Sequence, residues 1–598
     1  MAASLFAENI DSPARTQRER DFARLGKLRS ERSSWVPRWQ KINKVLLPFS
    51  GRYFGTNLQQ ERNRGDKSFG SILDSTATRA LRILAAGLMS GMTSPARPWF
   101  KLALEDEDLN ELDTVKLWLE QVGDLIRNIF NRNNTYRTLH TMYRELGAFA
   151  TAGNFVAPNF DKTSWHYPMT IGEYYFATDE FWRVKTCYRE FEMTVEHIVN
   201  QFVRQPDGTA NWSKVSTTVK NLWDTGKGHD TNVPVVHVIT PRPFDQRERG
   251  RLGGKNMPVR STYYELSAQN EHRETVLSDS GFEEFRVLAP RWDVTGSDPY
   301  GWGPSFEALG DMQQLQHEQF RKGQAIDHMS HPSIGVPGEA KGREFDLLPG
   351  GVNPLPTVQG GKVQNMLDVR MQLGDLKEDI LDVRQRINEA FYADLFLLIS
   401  GDTRGSPATA MEIAERQSEK MLMLGPVLER LNDELLAPLI DLTFSDLLRS
   451  GQLPPPPEEL QGHELKIEFV SVLAQAQRAV GLASIDRVIG TVGAIANAKQ
   501  SSDAWDKIDT DQLTDKYADM LGIDPSIIVS DENVAIIRKQ RAQLAQAQQM
   551  AAMIPQLATS AKALSDADMT SDNALTRLTG YNTQGATGSQ VSGPPGIV

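Results

Sequence analysis

Cysteine is almost missing from this sequence: Cys187 is the single one in 598 residues. No intramolecular disulfide can form, which fits a reducing compartment or a particle assembled in the cytosol, and stability has to come from buried apolar surface. A chain of this length supplies that surface amply and exceeds what one core usually supports, so two to four structural regions are expected. Long apolar runs are also lacking. Mean hydropathy is −0.42, and the most apolar stretches, such as Ile83 to Met92, are interrupted by glycine. A bilayer crossing needs about 20 apolar residues, so no membrane span is expected. Met1 to Ser12 carries Glu8 and Asp11 and no basic region ahead of an apolar one, so it is not read as a secretory signal. Nucleotide and hydrolase signatures are missing as well: there is no Walker sequence, no CxxC pair and no GxSxG with partners.

Acidic residues are scarce between Arg15 and Lys67, where fourteen Lys and Arg stand against five Asp and Glu, a balance of +9. The whole chain carries −12, so the remainder carries −21. A basic segment therefore sits on an acidic body. It reads either as a solvated helix face or as a patch for nucleic acid or an acidic partner.

What is present is organised around Tyr300 to Leu448. Apolar or small residues recur at Met366, Val369, Leu373, Leu376, Ile380, Val383, Ile387 and Ala390 in alternating three- and four-residue steps. That spacing is a heptad seam and predicts a helix from Met366 to Phe396. Asp375, Glu378, Asp379 and Asp382 lie on its other faces, so it needs neighbours on one side and water or a polar partner on the other.

Helical spacing also covers Arg15 to Leu47, interrupted at Pro37 and ended by Pro48. A further helix is capped by Asp74 and closes at Gly87; others run from Leu109 to Phe130 and from Tyr136 to Ala150. From Phe155 to Trp292, aromatic and β-branched runs predict sheet with an inserted helix at Thr194 to Arg204, an α+β arrangement. Pro304 opens a helix reaching Met329, and repeated Gly and Pro from Pro332 to Gly361 predict turns and small strands. After a loop from Leu397 to Ser406, the pair Thr409 and Glu412 marks a capping box for a helix reaching Leu448, bent at Pro426 and Pro438. Gly451 to Pro457 is a rigid spacer and Lys466 to Val472 a strand. The chain beyond Gln475 is helical in composition, with a disordered tail from Gly580.

The best metal or acid-base candidate is His317 with Asp327, His328 and His331, where His328 and His331 are one helical turn apart. The order is not HExxH, and a polar helix end is the favoured reading, with a metal-dependent nuclease as the alternative. Cys187, in an aromatic run, is read as core or interface. No catalytic centre, metal site or cofactor site is expected.

Several motifs occur in a characteristic order: Asp74-Ser-Thr-Ala-Thr-Arg, Leu84-Ala-Ala-Gly-Leu-Met-Ser-Gly-Met-Thr-Ser-Pro with Trp99-Phe100, and Asn133-Asn-Thr-Tyr. Tyr300-Gly-Trp-Gly-Pro, Thr409-Ala-Met-Glu-Ile, Leu424-Gly-Pro-Val-Leu-Glu-Arg-Leu and Leu435-Leu-Ala-Pro-Leu-Ile follow. Over about residues 15 to 545 the chain resembles the head-to-tail connecting portal proteins of short-tailed phages. The resemblance implies a predominantly helical α+β portal fold in a homododecameric ring at one capsid vertex, a non-enzymatic conduit for double-stranded DNA located in the virion, and in the host cytoplasm during assembly. It implies a wing over residues 1–300, stem helices at 301–330 and 363–396, a clip at 331–362 and a tunnel loop at 397–407. A long wing helix with its connecting strand spans 408–474, a crown or barrel 475–579, and the tail 580–598. Ser400, Gly401, Asp402, Thr403, Arg404 and Gly405 would then face DNA. Asp375, Leu376, Glu378, Asp379, Ile380, Asp382, Val383 and Ile387 would serve the channel and its subunit contacts. Lys341, Arg343, Glu344 and Phe345 would meet the terminase large subunit or a tail adaptor. Major capsid and scaffolding proteins complete the implied partners, with no membrane. A helical scaffold or internal virion protein without a channel is the remaining alternative.

Overall fold

The computed structural model describes residues 16–52, 54, 72–110, 112–205, 207–248, 253–266, 276–338, 344–355, 363–365, 373–399, 423–460, 462, 465–471, 473, 488–495, 508–514, 529 and 533–546. The fold separates into two units, residues 1–498 and 499–598.

The first unit opens with helix α1 (Gln17–Arg32), whose start is a capping box: the Thr16 hydroxyl accepts from the Glu19 N–H at 3.3 Å, and the Glu19 carboxylate accepts from the Thr16 N–H at 3.1 Å. Pro37 lies in the first turn of α2 (Val36–Val45), where its missing N–H costs nothing, so it begins this helix. Helix α3 (Thr76–Met92) continues past Gly87, the expected stop. Both of its late glycines are contact sites: a Cβ on Gly87 would collide with the Phe396 ring, and one on Gly91 would lie 2.7 Å from Leu473. Close packing, not helix termination, explains these glycines. Helices α4 (Asp113–Arg132) and α5 (Thr135–Phe149) follow, and α5 ends with Ala150 in the left-handed region at φ 56°.

Strand β1 (Phe100–Leu104) pairs antiparallel with the late strand Leu465–Phe469, the strand expected near Lys466. The central segment is antiparallel sheet. Strands β2 (Gly153–Asn159), β3 (Thr163–Met169) and the short Val287–Leu288 form one sheet with β2 in the middle. Strands β4 (Tyr174–Thr178), β5 (Val184–Thr194), β6 (Asn232–Pro241), β7 (Val259–Glu265) and β8 (Ser278–Phe282) form a five-stranded sheet in chain order. The inserted helix after Thr194 is present as Val195–Ile198 followed by a π turn, Val199–Val203. Cys187 is buried in β5, and burial pushes its thiol up to about 12, so it is an inert core residue.

Helices α6 (Leu309–Ser330) and α7 (Leu373–Ala390) lie against each other. The helix expected to run to Phe396 breaks at Tyr392, whose φ is 54°, and α8 (Ala393–Ile399) takes a new direction. Residues 423–431 are helical, then the π segment Asn432–Leu436 leads into α9 (Ala437–Ser450). Pro438 cannot donate to the Glu434 carbonyl and its ring crowds that position; the widened π turn just before it absorbs the misfit. One large core joins α2 to α9, and smaller clusters lie under the Val195 segment and between α1 and the five-stranded sheet. In the second unit, Arg538 holds Asp511 through two bonds of 2.6 Å between its described helical segments.

Candidate functional site

The α6/α7 hairpin is the feature on which the sequence reading turns. Its approach is set by Gly303, where a Cβ would stand 3.0 Å from the Ala150 Cβ and 3.1 Å from the Trp292 ring, followed by Pro304 in a first turn. The hairpin is antiparallel: Asp311 of α6 lies 3.3 Å from Arg386 of α7, and seven residues on, Glu318 faces Asp379. Burial raises the Glu318 carboxyl above its ordinary value, and the facing Asp379 carboxylate adds to that rise. Arg386 also holds Asp382 at 3.2 Å.

Ile380, Val383 and Ile387 are buried in the main core of the same chain, with Leu376 packed at its edge. The seam expected to make subunit contacts is thus closed within the chain, against α3 and α6, and this corrects the role expected for those residues. Each buried branched side chain contributes about 1.5–3 kcal/mol, so the seam fixes the hairpin on its own body. Glu378, Asp382 and Glu389 are exposed and fall within about 40° of one another on a helical wheel, on the side opposite the seam. The acidic face is therefore open.

Asp74 clamps the base of the hairpin. Its carboxylate accepts from the Thr76 N–H at 2.9 Å, from Gln319 of α6 at 3.0 Å and from the Arg384 guanidinium of α7 at 2.8 and 3.0 Å. The Gln316 amide oxygen accepts from the N–H groups of Leu73 and Asp74 at 2.6 and 2.9 Å, and its NH2 donates to the Asp74 carbonyl at 2.9 Å. Burial opposes ionisation of Asp74, but the bonds from Thr76 and Arg384 outweigh it and hold the carboxyl below its ordinary value. The sequence showed the cap; the reach to α6 and α7, more than 240 positions away, it did not.

Beyond α6, strands Ile334–Pro337, Val352–Leu355 and Gln364–Asn365 form a small mixed sheet, as the Gly and Pro spacing predicts. Glu344 and Phe345 are exposed beside it. Lys341, Arg343, the side chain of Asp375, and all of Ser400, Gly401, Asp402, Thr403, Arg404 and Gly405 lie outside the described residues. Among the described residues no three His, Cys, Asp or Glu side chains are placed to hold a metal ion, and His317, His328 and His331 do not converge. No helix among them is long and apolar enough to cross a membrane.

Part of the basic N-terminal charge is spent inside the chain. Arg18 donates to the Glu265 carbonyl at 2.8 Å, Arg29 to Glu190 at 3.0 Å, and Arg32 to the carbonyls of Gly172 and Tyr174 at 2.8 and 2.9 Å. Arg32 also stacks over Tyr175 at 3.7 Å. Asp21, buried on the same helix, grips Arg260 at 2.5 and 2.8 Å and the Tyr264 hydroxyl at 2.7 Å. These contacts dock α1 on the five-stranded sheet; Arg18 and Arg32 are buried by them, while Arg24, Lys27, Arg29, Arg38, Lys41 and Lys44 stay exposed.

A family model described as bacteriophage head to tail connecting protein matches residues 21–529. The chain belongs to that head-to-tail connecting protein family. A probable portal protein of Bordetella phage BPP-1 is 47% identical over 565 residues, 94% of this chain and 98% of the relative. The portal protein of Salmonella phage epsilon15 is 41% identical over 568 residues, again 94% and 98% of the two chains. Among solved structures, the virion of a native gene transfer agent particle matches with a TM-score of 0.29 at 9% identity over 70% of this chain and 86% of its own. The neck of an empty gene transfer agent particle matches with 0.30 at 10% identity over 75% and 93%.

In this connecting-protein chain the motifs noted above sit at joints. Asp74 joins α3 to the hairpin. Asn134 exchanges two bonds with the His166 backbone, at 2.7 and 3.0 Å, tying the α4–α5 corner to β3. The His166 ring is held by the Thr135 hydroxyl and the Asn154 amide, each at 2.9 Å, and burial pushes its pKa down to about 4. Tyr300 is buried against Trp39 and Trp35.

Proposed function

We propose that this chain is the portal subunit of a phage virion, a non-enzymatic ring that conducts double-stranded DNA into and out of the capsid. The observation that carries the reading is the identity of 41–47% to portal proteins along 94% of this chain and 98% of theirs. The open acidic face of α7 supports it. DNA gains affinity from cations opposite its phosphates, so a channel wall bearing Glu378, Asp382 and Glu389 lets a duplex slide.

In this reading the ring is a dodecamer with wing, stem, clip and crown. The α6/α7 hairpin is the stem, residues 331–362 the clip that meets first the terminase large subunit and then a tail adaptor, and Ser400 to Gly405 the DNA-facing loop. The ring assembles in the host cytoplasm with scaffolding and major capsid proteins. Native mass spectrometry and negative-stain imaging of the purified full-length chain test it. Closed rings are expected, and a stable monomer at capsid-like salt and concentration overturns it. Deleting Gly401 to Gly405 is expected to leave the ring intact and impair DNA packaging or retention; normal packaging removes that loop from the mechanism.

A further inference from the structure

With its seam closed on its own chain, the hairpin still leaves apolar side chains in water. Ile326 and Met329 lie toward the end of α6, and in the body of the hairpin Phe320 of α6 and Leu381 of α7 are each 51% exposed among polar neighbours. On a helical wheel both point away from the sister helix, and they do so on opposite flanks of the hairpin. The register fixed by Asp311 with Arg386 and Glu318 with Asp379 puts Phe320 level with Lys377.

The α7 flank at that level has a particular shape. Gly374, Lys377, Glu378 and Leu381 stand at positions i, i+3, i+4 and i+7, the four corners of a hole that receives one knob from a facing helix. Gly374 deepens it, since a side chain added there would meet nothing within 4 Å in this chain. His317, one turn before Phe320 and exposed, would come beside Glu378, a complementary rim.

We infer that Phe320 of one copy seats in the Gly374/Lys377/Glu378/Leu381 hole of the next. Knob and hole are different surfaces on opposite flanks, so the contact is heterologous and repeats from copy to copy until the ring closes. The inference rests on the ring proposed above and names the stem surface that builds it. The Phe320 ring covers Leu381, lying about one helical turn, roughly 5 Å, along the axis from it.

Two variants of the full chain test this. Phe320→Cys with Lys377→Cys is expected to give, under mild oxidation, a ladder of disulfide-linked multimers ending in a covalent ring, while each single variant gives none; Cys187 is buried and does not compete. Gly374→Leu fills the hole with the better helix former, and is expected to keep the melting temperature of the dissociated chain while lowering the ring fraction at least tenfold. Wild-type rings combined with no ladder and a tolerated Gly374→Leu overturn the assigned contact and leave the ring standing. Absence of rings in the wild type overturns the ring itself and this contact with it.

Discussion

Asp74 illustrates how much one side chain can organise. It accepts bonds from three elements at once, through Thr76 of α3, Gln319 of α6 and Arg384 of α7. Asp74→Ala is expected to destabilise the chain by about 1–3 kcal/mol in urea unfolding, since it removes a buried carboxylate on which half-buried donors of three elements converge. Its depressed carboxyl stabilises the fold at neutral pH and loses that effect as the pH falls through the folded-state value. His166 acts in the same direction by a different route. Its folded pKa of about 4 lies below the ordinary 6.5, so the unfolded chain binds the extra proton in between, and stability rises with pH from about 4 to 6.5 and is flat above. Melting temperatures measured across that window should fall toward acid, and His166→Gln should both lower the plateau and flatten the slope. Arg18, Arg29 and Arg32 carry the opposite lesson: a row of cations readable as a nucleic-acid patch is here the glue of a helix on a sheet.

At the scale of elements, glycines separate two kinds of helix surface. Gly87 is in contact with Phe396, and Gly87→Ala should cost about 1–3 kcal/mol by overpacking, read as a lower melting temperature. Gly374 faces open space, and Gly374→Ala should instead stabilise the dissociated chain by up to about 1 kcal/mol through helix propensity. The local code made most elements legible. The helical spacing through α1 and α2, Pro304 as a helix opener ahead of α6, the β-branched sheet and the heptad period of α7 were visible as spacing, whereas the Thr16 capping box and the role of Pro37 as a helix start were not. What spacing could not show was the partner. The period of Ile380, Val383 and Ile387 says that one face is buried and is silent on whether the burying surface belongs to this chain or another. Gly87 read as a stop because a helix end and a close helix contact both select glycine. The break at Tyr392 left no sequence mark, because a left-handed tyrosine is held by its surroundings and not by its own preference.

For the whole molecule, the acidic side of the hairpin makes a charge experiment informative. Asp382→Lys in every subunit places cations where the reading has DNA slide, and assembled rings should then bind duplex DNA with a steeper dependence on salt than the wild type. Filter binding at several salt concentrations checks it; unchanged affinity and slope place Asp382 away from the duplex. The family and the relatives speak to the kind of protein this chain is, whereas the hairpin geometry carries the proposed contact between copies.

The pairing of β1 with Leu465–Phe469 sets a clock. Phe100 waits for Phe469, which the ribosome delivers more than 360 residues later. At about 5–20 residues per second that interval is roughly 20–70 s, during which β1 has an unpaired edge and Gly91 has no Leu473 to cover it. The nascent chain cannot complete its body until most of it has been made, and a product truncated before Leu465 leaves β1 without the strand that closes it.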